Sequence, residues 1–294
     1  MTISTVPRGL PGDPTAPDVL AAKATAVRAA LAGLGGAVVA FSGGVDSSVV
    51  AAFAIEMLDE RALACTIVSG LLPDEEIREA EAIAAALGIR HRLVPLDVLA
   101  LPAFVANPPD RCYHCKARVL ATLREVADAE GLEAILHGEN ADDQAVYRPG
   151  ARAAEEAGAI APLAGAGITK AEVRALARDF GLPNADRPSA PCLATRIPYG
   201  EPVTVERMRR IGAAEAVLRG AGFTVVRVRD HGAIARIEVP LADLPRLLAP
   251  GLRERVSEEV RAVGYAHVTI DLDGYRSGSF DLARAASGTG GGHG

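Results

Sequence analysis

A short apolar strand passes through two glycines directly into a helix near the start of this chain. The strand is GAVVAF (36–41), the glycines are Gly43 and Gly44, and an apolar helical stretch starts at about residue 45. An uninterrupted apolar run of this length is typical of a strand that is buried on both faces, as strands of parallel sheets are. The stretch therefore favours an α/β fold.

The same alternation of strand and helix continues to about residue 180. Further strands are predicted at 62–68, 89–96 and 133–138, with a short fifth strand within AGAIAPL (157–163). Helices are predicted between them, and two have clear end signals: Asp74 as an N-cap with Gly88 past the end, and Thr169 with Glu172 as a capping box. This order predicts a parallel sheet with helices on both faces, and its ligand site belongs at the carboxyl ends of the strands.

A proline-rich stretch at 182–202 interrupts this order, and a smaller α/β domain is predicted after it. Its elements are a helix from about Thr204, paired strands at 223–230 and 233–239, helices at 241–248 and 250–264, and a strand at 266–272. The predicted domains are a flexible tail (1–17), the parallel-sheet domain (18–188), a cysteine-bearing linker (189–202), a C-terminal domain (203–282) and a second tail (283–294).

Charge and hydropathy limit the class of protein. The 294 residues include 31 Lys and Arg against 37 Asp and Glu, a net charge of −6, whereas a dedicated nucleic-acid-binding protein usually has a basic face. There is no apolar run long enough for a transmembrane helix and no apolar centre of a signal peptide near the start. We therefore expect a soluble, cytoplasmic protein that binds neither membrane nor nucleic acid. In that compartment its four cysteines favour metal binding or catalysis over disulfides.

The residues that follow the first strand, FSGGVDSS (41–48), are predicted to bind nucleotide phosphates. Gly43 and Gly44 let the backbone approach a phosphate closely, and the next helix offers N–H groups at its positive end. Hydroxyl groups are available from Ser42, Ser47 and Ser48. Asp46 could hold Mg²⁺. The Walker A pattern and its lysine are absent, which fits a loop that holds pyrophosphate as a leaving group. The simpler alternative is a glycine-rich turn without a ligand.

Two carboxylates follow the strand at 133–138. Asp142 and Asp143, in GENADDQ (138–144), come where a parallel sheet places its site, and they could share the Mg²⁺. Alternatively, this is an acidic turn whose side chains satisfy local backbone groups.

The cysteines point to a second kind of chemistry. RCYHCK (111–116), a predicted loop leading into a helix, contains a C-x-x-C pair, Cys112 and Cys115. Structural zinc usually needs two more ligands, whereas three thiolates suit a [4Fe–4S] cluster with one open iron, for which Cys192 is the third thiol. Cys65, within an apolar strand, is predicted to be a core residue. A thioredoxin-like redox pair or an idle thiol pair remains the alternative.

Several motifs carry a resemblance to known families. SGGVDS resembles the signature of the PP-loop ATP pyrophosphatases, which have an adenine nucleotide alpha hydrolase-like fold and cleave ATP between the α and β phosphates. From about residue 18 to 281 the chain is similar to the LarE family of sulfur transferases. The motifs are YRPG (147–150), APCLATRIPYG (190–200), RVRDHGAIARIE (227–238) and DLDGYRSGSFD (271–281).

The LarE resemblance implies a substrate and a reaction. The family uses ATP and Mg²⁺ to adenylylate carboxylates of pyridinium-3,5-biscarboxylic acid mononucleotide, and sulfur then displaces AMP to give thiocarboxylates. These lead to the nickel-pincer nucleotide cofactor of lactate racemase. The sulfur comes either from a cysteine at the position of Cys192, which becomes dehydroalanine, or from a sulfide on a three-cysteine [4Fe–4S] cluster. Because Cys112 and Cys115 are present, this chain resembles the cluster-bearing type, although sacrificial use of Cys192 stays possible. The resemblance also implies a homo-oligomer, a dimer or a hexamer.

Arginines of the C-terminal domain form a candidate anion site. Arg227 and Arg229 lie two apart on a predicted strand and therefore share one face, and Glu238 lies on the next strand. The resemblance implies that these residues bind the substrate phosphate; Arg196, near Cys192, is a further candidate. The alternative is a solvated charged face.

Three other functions fit parts of the sequence. A PP-loop tRNA thiolase could use the same cysteines, but the acidic balance and the lack of further C-x-x-C pairs disfavour it. A nucleotide-sensing module would bind ATP without releasing pyrophosphate. An amidating ligase would need ammonia or a glutaminase partner.

Overall fold

A computed structural model describes residues 17–70, 74–145, 149–188 and 191–276. Both predicted tails, apart from residue 17, lie outside the described residues. So do the first two residues of the YRPG motif, the first of APCLATRIPYG and the last five of DLDGYRSGSFD. The chain divides into two compact units. Unit 1 comprises Met1–Val68, Asp74–Leu96 and Lys116–Arg187; unit 2 comprises Ser69–Pro73, Asp97–Cys115 and Pro188–Gly294.

The helices and strands alternate through most of the chain. The helices are α1 (Pro17–Leu31), α2 (Val45–Leu58), α3 (Asp74–Leu87), α4 (Pro102–Val105), α5 (Arg111–Glu130), α6 (Pro149–Glu156), α7 (Pro162–Gly165), α8 (Lys170–Asp179), α9 (Val205–Gly220), α10 (Leu244–Leu247) and α11 (Leu252–Ala262). The strands are β1 (Ala37–Ala40), β2 (Ala62–Val68), β3 (Arg90–Pro95), β4 (Ala134–His137), β5 (Arg227–His231), β6 (Ile234–Glu238) and β7 (His267–Ile270).

Unit 1 contains the predicted parallel sheet. In the described residues its strand order is β3-β2-β1-β4, and β1 pairs in parallel with both β2 and β4. The predicted fifth strand is reduced to a single parallel bridge between Leu136 and Ile160. Since β1 lies inside the sheet, the loop that follows it opens at the carboxyl edge between two neighbouring strands.

Helices cover both faces of this sheet. Ala37 and Val39 of β1 pack into one apolar cluster with α1, α2 and α8, whereas Val38 packs into a second cluster with residues of α5. Successive side chains of a strand point to opposite faces, so this alternation requires apolar cover on both sides. The predicted fold class is therefore confirmed.

Unit 2 contains a smaller sheet in the order β5-β6-β7, in which β5 and β6 are antiparallel and β6 and β7 parallel. Its core includes Phe223, Val228 and Tyr265, packed with residues of α9 and α11. Tyr265 donates a hydrogen bond from its hydroxyl to Asp230 Oδ2 at 3.0 Å, which satisfies a carboxylate that is fully buried.

One local prediction is corrected. RCYHCK is helical, because α5 begins at Arg111, so Cys112 and Cys115 are the second and fifth residues of the helix. The proline-rich stretch contains a 3₁₀ turn at Leu193–Arg196 and lies in unit 2, and the predicted domain boundaries stay a prediction. Unit 2 also includes Asp97–Cys115, which lies within the first of the two predicted domains. Across the described ranges, no helix has the length and apolar character to cross a membrane.

Candidate functional site

The loop between β1 and α2 is shaped by its own serines. Ser47 Oγ accepts from Ser42 N at 3.2 Å and donates to Gly44 O at 3.0 Å, and Ser48 Oγ donates to the same oxygen at 3.0 Å. Ser48 is fully buried. Its hydroxyl therefore holds the loop, while the first N–H groups of α2 remain the donors suited to a phosphate.

Glycines allow this loop to sit closely against its neighbours. Gly43 has φ +72°, and a Cβ there would lie 2.9 Å from Ala80 Cα. A Cβ on Gly138, just after β4, would lie 2.7 Å from Ser47 N. Neither position has room for a side chain, so both glycines are required by the packing of the loop.

Asn184, near the C-terminal end of the unit 1 sequence, supports the phosphate loop. It is 4% exposed, and its Nδ2 donates to Gly43 O at 2.7 Å and to Ser48 Oγ at 2.9 Å. Its Oδ1 is buried and accepts no hydrogen bond from the described residues. The loop is thus fixed by a side chain 141 residues away from Gly43.

Asp46 is held by a lysine and an amide. Its Oδ2 forms an ion pair with Lys170 Nζ, and its Oδ1 accepts from Asn140 Nδ2 at 3.1 Å. The side chains of Asp46 and Lys170 are 22% and 29% exposed, so both can be reached by a ligand. The phosphate loop therefore has a lysine after all, supplied by the first residue of α8.

The two carboxylates after β4 belong to the same network. Asp142 Oδ2 accepts from Lys170 N at 2.8 Å, and Asp143 Oδ2 accepts from Asn140 N at 3.2 Å. Among the described residues no three His, Cys, Asp or Glu side chains lie close enough together to hold one metal ion. Asp46 still fits Mg²⁺ that arrives with a nucleotide, since such an ion takes one or two carboxylates and completes its shell with phosphate oxygens and water. Asp142 accepts from a backbone N–H group and Asp143 from the backbone and side chain of Asn140; their predicted Mg²⁺ role stays a prediction.

His137 ends β4 near this network. It is 4% exposed, and its Nδ1 lies 3.8 Å from Glu139 Oε2. Burial, with a smaller contribution from Lys116, lowers the pKa of His137 to about 4. The imidazole is therefore neutral at pH 7.

All three candidate cluster cysteines lie in unit 2. Cys112 is exposed, while Cys115 and Cys192 are half-buried. Cys112 and Cys115 are three apart on α5 and therefore lie on one face of the helix. Burial raises the pKa of Cys192, and the nearby Cys112 thiol adds to this rise. Cys65 is 1% exposed in β2, and burial raises its pKa to about 11, which agrees with the predicted core role.

A buried asparagine joins the two cysteine-bearing segments. Asn107 Nδ2 donates to Pro198 O at 2.7 Å and to Glu201 O at 2.9 Å. Gly200 N in turn donates to Asn107 O at 2.9 Å. The segment before Cys112 and the segment after Cys192 are therefore hydrogen-bonded to each other. In a [4Fe–4S] cluster each thiolate binds a different iron. The thiols therefore need to lie on neighbouring segments, but they need not converge on one metal ion.

Arg196 is engaged by the protein itself. It is 2% exposed, and its Nε and Nη2 donate to the two carboxylate oxygens of Glu215 at 2.7 and 3.1 Å. Its Nη1 donates to Pro191 O at 3.2 Å and to Thr195 Oγ1 at 2.7 Å. These contacts suit a residue that holds the Cys192 turn; the predicted phosphate role of Arg196 stays a prediction.

The arginines of the second sheet lie together as the strand pattern predicts. Arg227 and Glu238 are register partners on β5 and β6. Arg229 donates to Glu238 Oε2 at 2.8 Å and to Thr195 O at 2.9 Å. Burial, with a further contribution from Arg196, lowers the pKa of Arg227.

Sequence reasoning missed Lys170, Asn184 and Asn107. Lys170 had one available signal: a cation at the first position of a helix opposes the helix dipole, which suggests another purpose. Asn107 and Asn184 gave no signal, because an isolated asparagine is usually an exposed turn residue.

The chain is similar to several known proteins. The asparagine synthase family description matches residues 19–146, which cover the phosphate loop. The chain is 38% identical, over 88% of its length and 94% of the relative, to the pyridinium-3,5-bisthiocarboxylic acid mononucleotide synthase of Lactiplantibacillus plantarum. It is 42% identical, over 83% of its length and 91% of the relative, to an uncharacterised protein of Synechocystis sp.. It is 33% identical to the NH(3)-dependent NAD(+) synthetase of Hyperthermus butylicus, over 55% of the chain and 60% of the relative.

The parallel sheet and its glycine-rich phosphate loop define an ATP-binding protein of the PP-loop class. Within that class, the match to the Lactiplantibacillus protein covers 88% of the chain and so extends beyond the loop domain. The chain belongs to the LarE family, and it is an ATP-dependent sulfurtransferase.

Proposed function

We propose that this enzyme converts the carboxylates of pyridinium-3,5-biscarboxylic acid mononucleotide into thiocarboxylates, which serve nickel-pincer nucleotide synthesis. The Lactiplantibacillus relative is named for the corresponding bisthiocarboxylic product. The observation that carries the sulfur step is the hydrogen-bonded pair of segments bearing Cys112, Cys115 and Cys192 in one unit.

The first step is activation of a carboxylate by ATP. A substrate carboxylate oxygen attacks the α-phosphorus, the bond from that phosphorus to the bridging oxygen breaks, and pyrophosphate leaves. The N–H groups at the start of α2 hold the phosphates, and Asp46 would hold Mg²⁺ in place of its contact with Lys170. Lys170, released from Asp46, balances the charge that develops on the leaving pyrophosphate.

The second step replaces AMP by sulfur. A sulfur nucleophile attacks the acyl carbon, and AMP leaves as the C–O bond to phosphate breaks. A [4Fe–4S] cluster bound by Cys112, Cys115 and Cys192 would supply this sulfur as a sulfide at its open iron. The chain's own task is to hold the Cys192 turn, which Arg196 does through Pro191 O and Thr195 Oγ1. Two rounds give the dithio product.

The alternative is that Cys192 provides its own sulfur. Its thiolate would attack the acyl carbon to give a thioester, and loss of the Cα proton with cleavage of the Cβ–S bond would leave dehydroalanine. Each chain could then transfer one sulfur only.

We assign the substrate phosphate to the arginines of β5, and chiefly to Arg227. The lowered pKa of Arg227 means that its cationic form is disfavoured by burial and by neighbouring Arg196. An anion bound there would relieve this cost, as a phosphate of the mononucleotide would.

The test is to purify the protein without oxygen and to measure iron, acid-labile sulfide and intact mass before and after turnover. About four iron atoms per chain, an unchanged mass and several products per chain would support the cluster route. A chain without iron that becomes lighter by the mass of H₂S, with one sulfur transferred, would establish the sacrificial route. Failure to release pyrophosphate with the dicarboxylate substrate would refute both.

A further inference from the structure

Asn107 combines burial, a left-handed backbone conformation and side-chain hydrogen bonds to a remote segment. It is fully buried, and its φ is +53°, in the left-handed region that non-glycine residues seldom adopt. Its amide protons are directed at main-chain oxygens beyond Cys192, and Ile197 O adds a longer contact at 3.4 Å. Strain of this kind persists only where the surroundings over-determine the conformation.

The same asparagine also fixes the start of α5. Its Oδ1 accepts a hydrogen bond from Nη1 of Arg111, which directly precedes Cys112 and is 4% exposed. The Arg111 guanidinium lies 5.2 Å from the ring centroid of Tyr199, where a cation–π contact is favourable. Asn107 thus uses its acceptor toward the C-x-x-C turn and its donors toward the loop that follows Cys192.

We propose that Asn107 is a positioning residue that sets the spacing between the C-x-x-C turn of α5 and the Cys192 turn. Its assignment to sulfur chemistry rests on the proposed function, whereas the spacing itself is a property of the iron-free chain. Holding the thiols in place beforehand removes part of the entropy cost of binding a cluster, because the two segments need not be ordered by iron.

The experiment measures thiol bridging in the reduced, iron-free full-length chain. Dibromobimane alkylates two neighbouring thiols and loses two bromide ions, and peptide mass spectrometry identifies the bridged pair. N107D keeps the side-chain size and the acceptor for Arg111 but removes the amide protons. N107G removes the side chain and suits the positive φ, so it covers the case in which the buried carboxylate of N107D prevents folding.

Asn184→Asp is the matched control, since it changes a buried asparagine that donates two hydrogen bonds in unit 1. We expect wild type and N184D to bridge Cys192 to Cys112 or Cys115 at equal rates, and N107D and N107G to do so at least about tenfold more slowly. Iron taken up on reconstitution should fall in the Asn107 variants and not in N184D.

The outcomes separate this proposal from the proposed function. Bridging that depends on Asn107 in a chain that never takes up iron would support the positioning role and refute the cluster. Wild-type bridging rates in both Asn107 variants would overturn the positioning role, whatever the iron content. Loss of bridging together with loss of cooperative thermal unfolding in both variants would also overturn it, in favour of a purely structural residue.

Discussion

At the scale of single residues, the phosphate loop obtains its cation from a distant part of the chain. Lys170 pairs with Asp46 across 124 residues of sequence. An unpaired aspartate at this position would repel the phosphates of an incoming nucleotide, and the lysine offsets its charge.

Lys170→Gln should lower the rate of pyrophosphate release by about 100-fold, because an amide cannot balance the charge on the leaving group. Lys170→Arg, which keeps the charge, should restore part of the rate. Lys23→Gln is the control. Lys23 Nζ donates to Glu172 Oε1 of α8, the helix that begins with Lys170, at 2.7 Å, so its loss should affect stability rather than the rate of pyrophosphate release. If K170Q releases pyrophosphate at the wild-type rate, Lys170 does not stabilise the leaving group and only neutralises Asp46.

His137 should make the stability of the protein depend on pH. Its pKa is about 4 in the folded chain, below the ordinary value of 6.5, so the unfolded chain binds more protons between these values. The contribution of His137 to the free energy of unfolding is therefore fully present above pH 6.5 and is lost as the pH falls toward 4. Relative to H137Q, the wild type should lose about 2 kcal/mol of unfolding free energy between pH 7.5 and 5. Urea unfolding of both proteins measures this difference, and parallel pH curves would contradict it.

At the scale of secondary-structure elements, the start of α5 carries the C-x-x-C pair. A loop could vary the distance between its thiols, but a helix places residues three apart side by side at a fixed spacing. The two thiols therefore have a fixed spacing, and Arg111, which precedes them, is hydrogen-bonded to Asn107.

Cys112→Ser should reduce the iron content of the anaerobically purified protein from about four atoms per chain to below about one, because two ligands do not retain the cluster. Cys65→Ala is the control, since Cys65 is buried in β2 and has no predicted role with iron. Iron analysis and the visible absorption spectrum test this. Equal iron in C112S and wild type would remove Cys112 from the ligand set.

At the scale of the whole molecule, the predicted residues sort into the two units by function. Those assigned to ATP lie in unit 1, and those assigned to sulfur and substrate phosphate lie in unit 2. Each set is held by hydrogen bonds within its own unit. Changes in one unit should therefore affect one ligand more than the other.

Arg227→Ala should weaken binding of the dicarboxylate mononucleotide by about 10- to 100-fold, the loss expected for a charged hydrogen bond to phosphate. Its effect on ATP binding should stay within about twofold. Calorimetric titration with each ligand measures both affinities, and Arg253→Ala, an exposed arginine of the same unit, is the control. Equal weakening of both ligands by R227A would argue against a phosphate site on β5.

The sequence by itself determined the features that depend on local pattern. Apolar runs and capping signals predicted the parallel sheet and α8, because strand burial and helix caps involve neighbours along the chain. The phosphate loop was recognisable for the same reason, since its glycines and serines are contiguous. The helical start of α5 was missed because the prolines just before it favour a loop and do not indicate at which residue the helix begins.

Only the tertiary structure decided which distant side chains complete each site. Lys170 and Asn184 reach the phosphate loop, and Asn107 reaches the Cys192 segment, across 90 or more residues. A buried asparagine or a neutralising lysine leaves no periodic trace, because its role depends on what lies opposite it in space rather than on its neighbours in sequence. Those contacts exist only once parallel strands and packed segments bring the remote residues together, which is why the fold and the loop could be predicted and the supporting residues could not.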